Sequence, residues 1–169
     1  DSVTVANNNI QSFSGTNGFE LTGLGSGVDL TFQSNDFDGG SNGNNAINRD
    51  TVSENVTITD GSVNDVSNEG VLVSDSGGDG VTVSGTAFTN ITVSAVEVFG
   101  VGGDGDGDNI ILDGVTIDDS SAANGLLVND ANALVDVSGS TTINDTIRGI
   151  DVTDAEQVVV SGVEITNTD

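Results

Sequence analysis

A repeated spacing of apolar residues constrains this chain more than any other feature of its sequence. Two apolar residues flank one residue of any type, and a third apolar residue follows five positions later. The sets are Val3, Val5 and Ile10; Leu30, Phe32 and Phe37; Val56, Ile58 and Val63; Val81, Val83 and Phe88; Ile110, Leu112 and Ile117; and Val158, Val160 and Ile165. Val135 and Val137 begin another set, but its third place is Thr142, with Ile143 one step late. The starts of the sets lie 27, 26, 25, 29, 25 and 23 residues apart.

A second apolar pair follows most starts by 15 or 16 residues, usually just after a glycine. These pairs are Phe19 and Leu21, Val71 and Val73, Val96 and Val98, Leu126 and Val128, and Ile150 and Val152. The second repeat is irregular here, around Ala46 and Ile47. Alternation with a period of two places one face of a strand inward, and the Val, Ile and Thr content favours strands.

These short strands, separated by Gly, Asn, Asp and Ser, predict stacked coils. No single coil could bury its apolar face alone, whereas coils stacked in register at about 4.8 Å bury a continuous column. No stretch shows the periodicity of an amphipathic helix. We therefore expect an all-β fold, a single-stranded right-handed parallel β-helix (a solenoid) of about seven coils. We expect residues 1–169 to form one domain, either a segment of a longer chain or a subunit that stacks on others.

The repeated strings resemble those of parallel β-helices in pectate-lyase-like proteins, phage tailspikes and the passenger domains of bacterial surface adhesins. The strings that carry this resemblance are Val56-Thr57-Ile58, Val81-Thr82-Val83 and Gly70-Val71-Leu72-Val73 with their equivalents, which cover nearly the whole chain. The resemblance implies the architecture. It does not imply one activity, because the fold carries lyases, hydrolases, adhesins and fibres alike.

The charge of the chain is strongly negative and excludes several partners. There are 27 acidic and 2 basic residues, with no His, which gives a formal net charge of −25. Nucleic acid is a poor partner because its binding depends on Lys and Arg. No apolar run approaches the about 18 residues of a membrane span, so membrane insertion is not expected. The absence of cysteine removes any disulfide or thiol chemistry.

An acidic, glycine-rich stretch is the strongest candidate for a metal site. Asp104, Asp106 and Asp108 alternate with glycine, and three carboxylates on one loop suit calcium, a cation that prefers oxygen ligands. The position twelve residues into an EF-hand loop falls on Val115 instead of Glu, so that motif is not matched. The alternative is an acidic loop that is merely solvated.

A polar position nine residues after the start of a repeat predicts a ladder of side chains. It is occupied by Asp65, Asn90, Asp119, Asn144 and Asn167. Asn and Asp tolerate turn conformations and hydrogen-bond neighbouring groups, so a stack of them would stabilise the rod.

The sequence carries no distinctive catalytic constellation. Asn167-Thr168-Asp169 and Asp118-Asp119 match motifs of polygalacturonase-type β-helices, but in reversed order and on the repeating turn. The His and Lys of those enzymes are missing altogether. An Asp/Glu pair with one raised pKa could still hydrolyse a neutral glycan, which leaves a glycoside hydrolase as the enzymatic alternative.

We therefore expect an extracellular or cell-surface structural or adhesive segment instead of an enzyme. Such a segment would associate end to end, or with flanking coils, into a fibre with calcium between acidic loops. The alternative is a module that binds or degrades polysaccharide. The chain has no Trp and no Tyr, and sugar grooves usually present exposed aromatic faces.

Overall fold

A computed structural model describes residues 1–23, 27–50, 55–74, 80–100, 109–118, 124–129 and 133–168. Within these ranges the chain is all-β, a parallel solenoid of right-handed type. The expected fold class is therefore confirmed. Among the same residues there is no helix long and apolar enough to cross a membrane.

The strands are short and follow the repeat of the sequence. In chain order they are β1 (Ser2–Ala6), β2 (Asn9–Gln11), β3 (Phe19–Thr22), β4 (Asp29–Gly43), β5 (Ile47–Asp50), β6 (Val56–Val66), β7 (Val71–Ser74), β8 (Gly80–Ser84), β9 (Ala87–Ile91), β10 (Ser94–Phe99), β11 (Asn109–Asp113), β12 (Thr116–Asp118), β13 (Asn124–Asn129), β14 (Leu134–Ser138), β15 (Thr142–Asn144), β16 (Arg148–Thr153), β17 (Gln157–Val160) and β18 (Glu164–Thr166).

Strands of successive coils pair in parallel and form three columns. The first column runs β1–β4–β6–β8–β11–β14–β17, and the second runs β2–β4–β6–β9–β12–β15–β18. Because β4 and β6 continue through the corner between these columns, both belong to one 12-stranded sheet. The third column, β3–β5–β7–β10–β13–β16, is a separate six-stranded sheet.

The predicted apolar sets stack on one another in register. In the first column Leu112 pairs with Val83 below it and with Val137 above it. In the second column Phe88 pairs with Val63 and Ile117. The inward side chains of the interior coils are almost fully buried in the first two columns, and together with the apolar inward side chains of the third column they form the core of the solenoid. Their burial provides the main stabilisation of the fold.

The corner between the first and second columns turns through residues with positive φ. Asp60 has φ 59° and is followed by Gly61 with φ 85°. A Cβ atom on Gly61 would lie 2.1 Å from the backbone oxygen of Asn35 in the coil below, so this position requires glycine. The Asn35 side chain is itself buried and donates a 2.8 Å hydrogen bond to the backbone oxygen of Val5. The corner is thus closely packed, coil against coil.

The number of coils is slightly smaller than expected. The solenoid has about five turns, whereas the sequence repeat predicts about seven coils. Seven strands do stack in the first column, but β1 and β17 each pair on one side only among the described residues. The sequence repeat includes the two end coils, which contain β1 and β17. Only the five coils between them have neighbours on both sides.

The uncertain third place of one repeat is resolved by its turn. Ile143, and not Thr142, pairs with Ile117 and Ile165 in the inward column. The corner that precedes it contains two residues with positive φ, Gly139 at 66° and Ser140 at 64°. This longer turn absorbs the additional residue, so the register of the strands is kept.

Candidate functional site

The predicted side-chain ladder begins with Asp65 and Asn90. Both residues have a left-handed backbone conformation, with φ 52° and 54°. The Nδ2 atom of Asn90 donates a hydrogen bond of 3.0 Å to Oδ1 of Asp65. Asn and Asp adopt this conformation more readily than most residues, and their side chains then reach the next coil.

Further along the same turn, the ladder shifts by one residue. Asp145 has the left-handed φ of 56°, while Asn144 is the last residue of β15 and pairs with Asp118 and Thr166. From there the Asn144 amide donates to Oδ1 of Asp118 at 3.0 Å, and its Oδ1 accepts from Nδ2 of Asn167 at 2.9 Å. Asn144 thus links the coil below it, through Asp118, to the coil above it, through Asn167. Asp119 lies outside the described residues.

The predicted calcium ligands Asp104, Asp106 and Asp108 also lie outside the described residues. Within the ranges that the structure covers, no group of three or more His, Cys, Asp or Glu side chains is arranged to hold a metal ion. The acidic loop therefore stays a prediction from the sequence.

The third column contains a buried arginine in an inward position. Arg49 pairs with Leu21 below and Val73 above, so it occupies the place that the other coils give to an apolar side chain. It is 3% exposed, and its Nε and Nη2 atoms have no hydrogen-bond partner. Burial lowers the pKa of the Arg49 guanidinium. This residue explains the irregular second repeat: its apolar pair is reduced to Ile47 alone.

Two glutamates are buried in the third column. Glu69 lies just before β7, and Glu97 lies within β10. Glu69 is 9% exposed and Glu97 is 7% exposed. Burial raises the pKa of the Glu69 carboxyl, the negative charge of Glu97 raises it further, and a backbone hydrogen bond partly offsets both effects. The Oε2 atom of Glu97 is buried without a hydrogen-bond partner.

Asn124 and Ser94 are two further buried polar residues at the start of strands in the third column. Asn124 pairs with Ser94 at the start of β13 and β10, and its Nδ2 donates to the Ser94 Oγ at 3.3 Å. The Ser94 backbone oxygen accepts from the nitrogen of Gly70, the residue after Glu69. Asn124 is 6% exposed, and its Oδ1 is buried without a partner.

Sequence analysis did not identify these four buried polar residues or Arg49. Glu97 lies between Val96 and Val98 on the outward side of its strand, where a solvated charge is the ordinary expectation. One signal was present in the sequence: a chain with 2 basic residues has few means of neutralising a buried carboxylate. Using that signal requires knowing which glutamates are buried, and the sequence pattern does not supply this.

The last coil exposes its inward side chains. Val158 is 46% exposed, Val160 is 50% exposed and Ile165 is 42% exposed, although their equivalents one coil earlier are almost fully buried. Within the described part of the chain, β17 pairs only with β14 and β18 only with β15. The end of the stack therefore presents apolar side chains and unpaired strand edges.

The fold and its ladder of turn residues define a parallel β-helix repeat protein. No protein-family profile matches the chain, and no curated protein or solved structure matches it either.

Proposed function

We propose that this chain is a structural or adhesive β-helix segment of an extracellular or cell-surface protein. It joins a second copy of itself, end to end, into a fibre. The observation that carries the proposal is the exposure of Val158, Val160 and Ile165, which no further layer of the described residues covers. Unpaired strand edges with apolar side chains readily accept further strands.

The two ends of the stack are matched in spacing. At the opposite end β1 and β2 pair, among the residues that the structure describes, only with β4, and they carry Val3, Val5 and Ile10 at the same intervals as the last coil. A head-to-tail contact of this kind does not close on itself and generates a filament. Calcium held by Asp104, Asp106 and Asp108 would reduce the repulsion between copies that each carry a net charge of −25.

The aromatic residues favour this function over a carbohydrate module. Sugar-binding grooves use exposed aromatic faces, and all six phenylalanines are described by the structure. Phe32, Phe37 and Phe88 are buried, and the other three are partly buried. The three buried rings are therefore closed to a sugar, and no phenylalanine is fully exposed.

Sedimentation velocity with calcium, and then with chelator, tests the proposal. We expect assemblies that grow with protein concentration and that calcium enlarges. Val160→Lys places a charge in the end-to-end contact and should leave a single small species. Val159→Lys is the matched control, because Val159 is 41% exposed on the same strand but points outward. A wild-type chain that stays monomeric at high concentration under both conditions would contradict the filament.

A further inference from the structure

The first layer of the solenoid, formed by β1 and β2, and the last layer, formed by β17 and β18, share more than the spacing of their apolar residues. In the first layer Asn7 and Ser12 have positive φ, at 57° and 56°. In the last layer Gly162 and Asn167 have positive φ, at 64° and 52°. Each of these two lies 155 positions after its counterpart, which is also the interval between the two apolar sets. The backbones of both layers therefore turn at matching places.

A second copy placed on the last layer at this offset would continue the register found inside the solenoid. Parallel strands of neighbouring coils pair residue by residue, as β14 pairs with β17. The offset sets β1 on β17 and β2 on β18, with Val3, Val5 and Ile10 over Val158, Val160 and Ile165. A shift by one residue would place inward side chains over outward ones. A shift by two residues would misalign both turns.

The two layers are also nearly free of charge, although the whole chain carries −25. Residues 2–19 contain no charged side chain, and residues 157–168 contain only Glu164. At the offset of 155 residues, Glu164 lies over the neutral Asn9. Burying charges in a contact costs free energy, and like charges repel across it. A joint between these layers avoids both costs, because the acidic residues are concentrated in the coils between them.

The ladder of turn side chains would also extend across such a joint. Asn167 donates from Nδ2 to Oδ1 of Asn144 at 2.9 Å, which brings the ladder to the last layer. The next position at the same offset is Ser12, which has a left-handed backbone like that of Asn167. Its hydroxyl group can donate or accept a hydrogen bond, so it can serve as the next member.

We propose that the last layer binds the first layer of a second copy in this single register. The first and second columns and the side-chain ladder then continue from copy to copy through an uncharged joint. This inference rests on the proposed function and specifies its contact. Among the described residues the third column has no strand after β16, so the joint is formed by the first two columns alone.

Cysteine cross-linking tests the register, because the chain has no cysteine of its own. In the double variant Thr4→Cys and Val159→Cys, the two Cα atoms would lie about 4.8 Å apart across the joint, within the range that a disulfide spans. Both positions are exposed. Within one copy they are separated by roughly 29 Å of stacked coils, too far for a disulfide. Oxidation should therefore give a series of covalent oligomers on a non-reducing gel, and a reductant should return it to monomer.

The matched control is the double variant Thr4→Cys and Gln157→Cys. Gln157 is exposed on the same face of β17 as Val159, but it lies about 7 Å away from it along the strand. This variant should give no covalent oligomers, and equal cross-linking in both double variants would overturn the register. Val159→Cys alone should also stay uncross-linked. A covalent dimer of that single variant would show that two last layers face each other, which would overturn the proposal.

Sedimentation velocity of the wild-type chain separates this inference from the proposed function. Assemblies that grow while the first double variant fails to cross-link would overturn the register and leave the fibre standing. A chain that stays monomeric would overturn both. Raising sodium chloride from about 0.01 M to 1 M shortens the Debye length from about 30 Å to about 3 Å. Because the joint contains no ion pair, the assemblies should grow with salt, and assemblies that dissolve in salt would contradict an uncharged joint.

Discussion

The first two columns of the solenoid and its third column follow the same repeat but differ in what they bury. In the first two, the inward positions of the interior coils are apolar and closely stacked. The third column places Arg49 inward and buries Glu97 on its other face. Of the seven buried polar atoms that lack a partner among the described residues, five belong to strands of the third column. The unpaired buried polar atoms are thus concentrated in the third column, where charged side chains are buried beside an otherwise apolar stack.

The largest effect should come from removing a core side chain of the first two columns. Phe88→Ala deletes a fully buried ring of the second column, and we expect it to lower the free energy of unfolding by about 3–5 kcal/mol in a urea titration. Phe99→Ala in the third column is the comparison and should cost less, because Phe99 is only partly buried. Equal losses in the two variants would contradict the contrast between the columns.

Arg49→Leu should make the third column resemble the others. The leucine would continue the apolar column between Leu21 and Val73, and the desolvated guanidinium would be removed. We expect the free energy of unfolding to rise by about 1–4 kcal/mol. Arg148→Leu serves as the control and should be nearly neutral, because that side chain is exposed and its ion pair with Asp151 is screened by water. A destabilised Arg49→Leu variant would mean that the buried charge has a partner that stabilises it.

A smaller effect is expected at the ladder, where polar groups are satisfied. Asn90→Ala removes the hydrogen bond to Asp65 and places alanine at φ 54°. We expect a loss of about 1 kcal/mol in chemical unfolding. Asn90→Gly removes the same hydrogen bond but tolerates the backbone conformation, so it separates the two causes. If both substitutions are neutral, the ladder does not stabilise the rod.

Glu69→Gln should change stability least at neutral pH. Its effect should be seen mainly in how the melting temperature depends on pH. Because the folded state raises the pKa of Glu69, it holds this proton more tightly than the unfolded chain does. Stability should therefore fall as the pH rises through the unfolded pKa and up to the folded one. In calcium-free buffer, Glu69→Gln should flatten this fall relative to wild type, as measured by melting temperatures at a series of pH values. Glu20→Gln should leave the fall unchanged, and an identical slope for wild type and Glu69→Gln would contradict the assignment.

The sequence predicts the columns because burial in a stack imposes a regular spacing on apolar residues. The sequence does not show how many residues a turn contains, and Ile143 is therefore one position later in the repeat because Gly139 and Ser140 lengthen the corner before it. For the same reason Asn144 belongs to a strand, and Asp145 takes the turn. Arg49 is missed on different grounds: a pattern built on apolar residues cannot register a charged side chain in an apolar place.

The corner at Gly139 and Ser140 has a consequence for how such a rod can change over generations. A coil that accommodates one more residue at a bend, with its neighbours unmoved, tolerates small insertions there at little cost. Duplication of a whole coil is then also tolerated, since the new copy meets the same surfaces above and below. The length of the solenoid can therefore change in steps of one coil without altering the structure of the other coils.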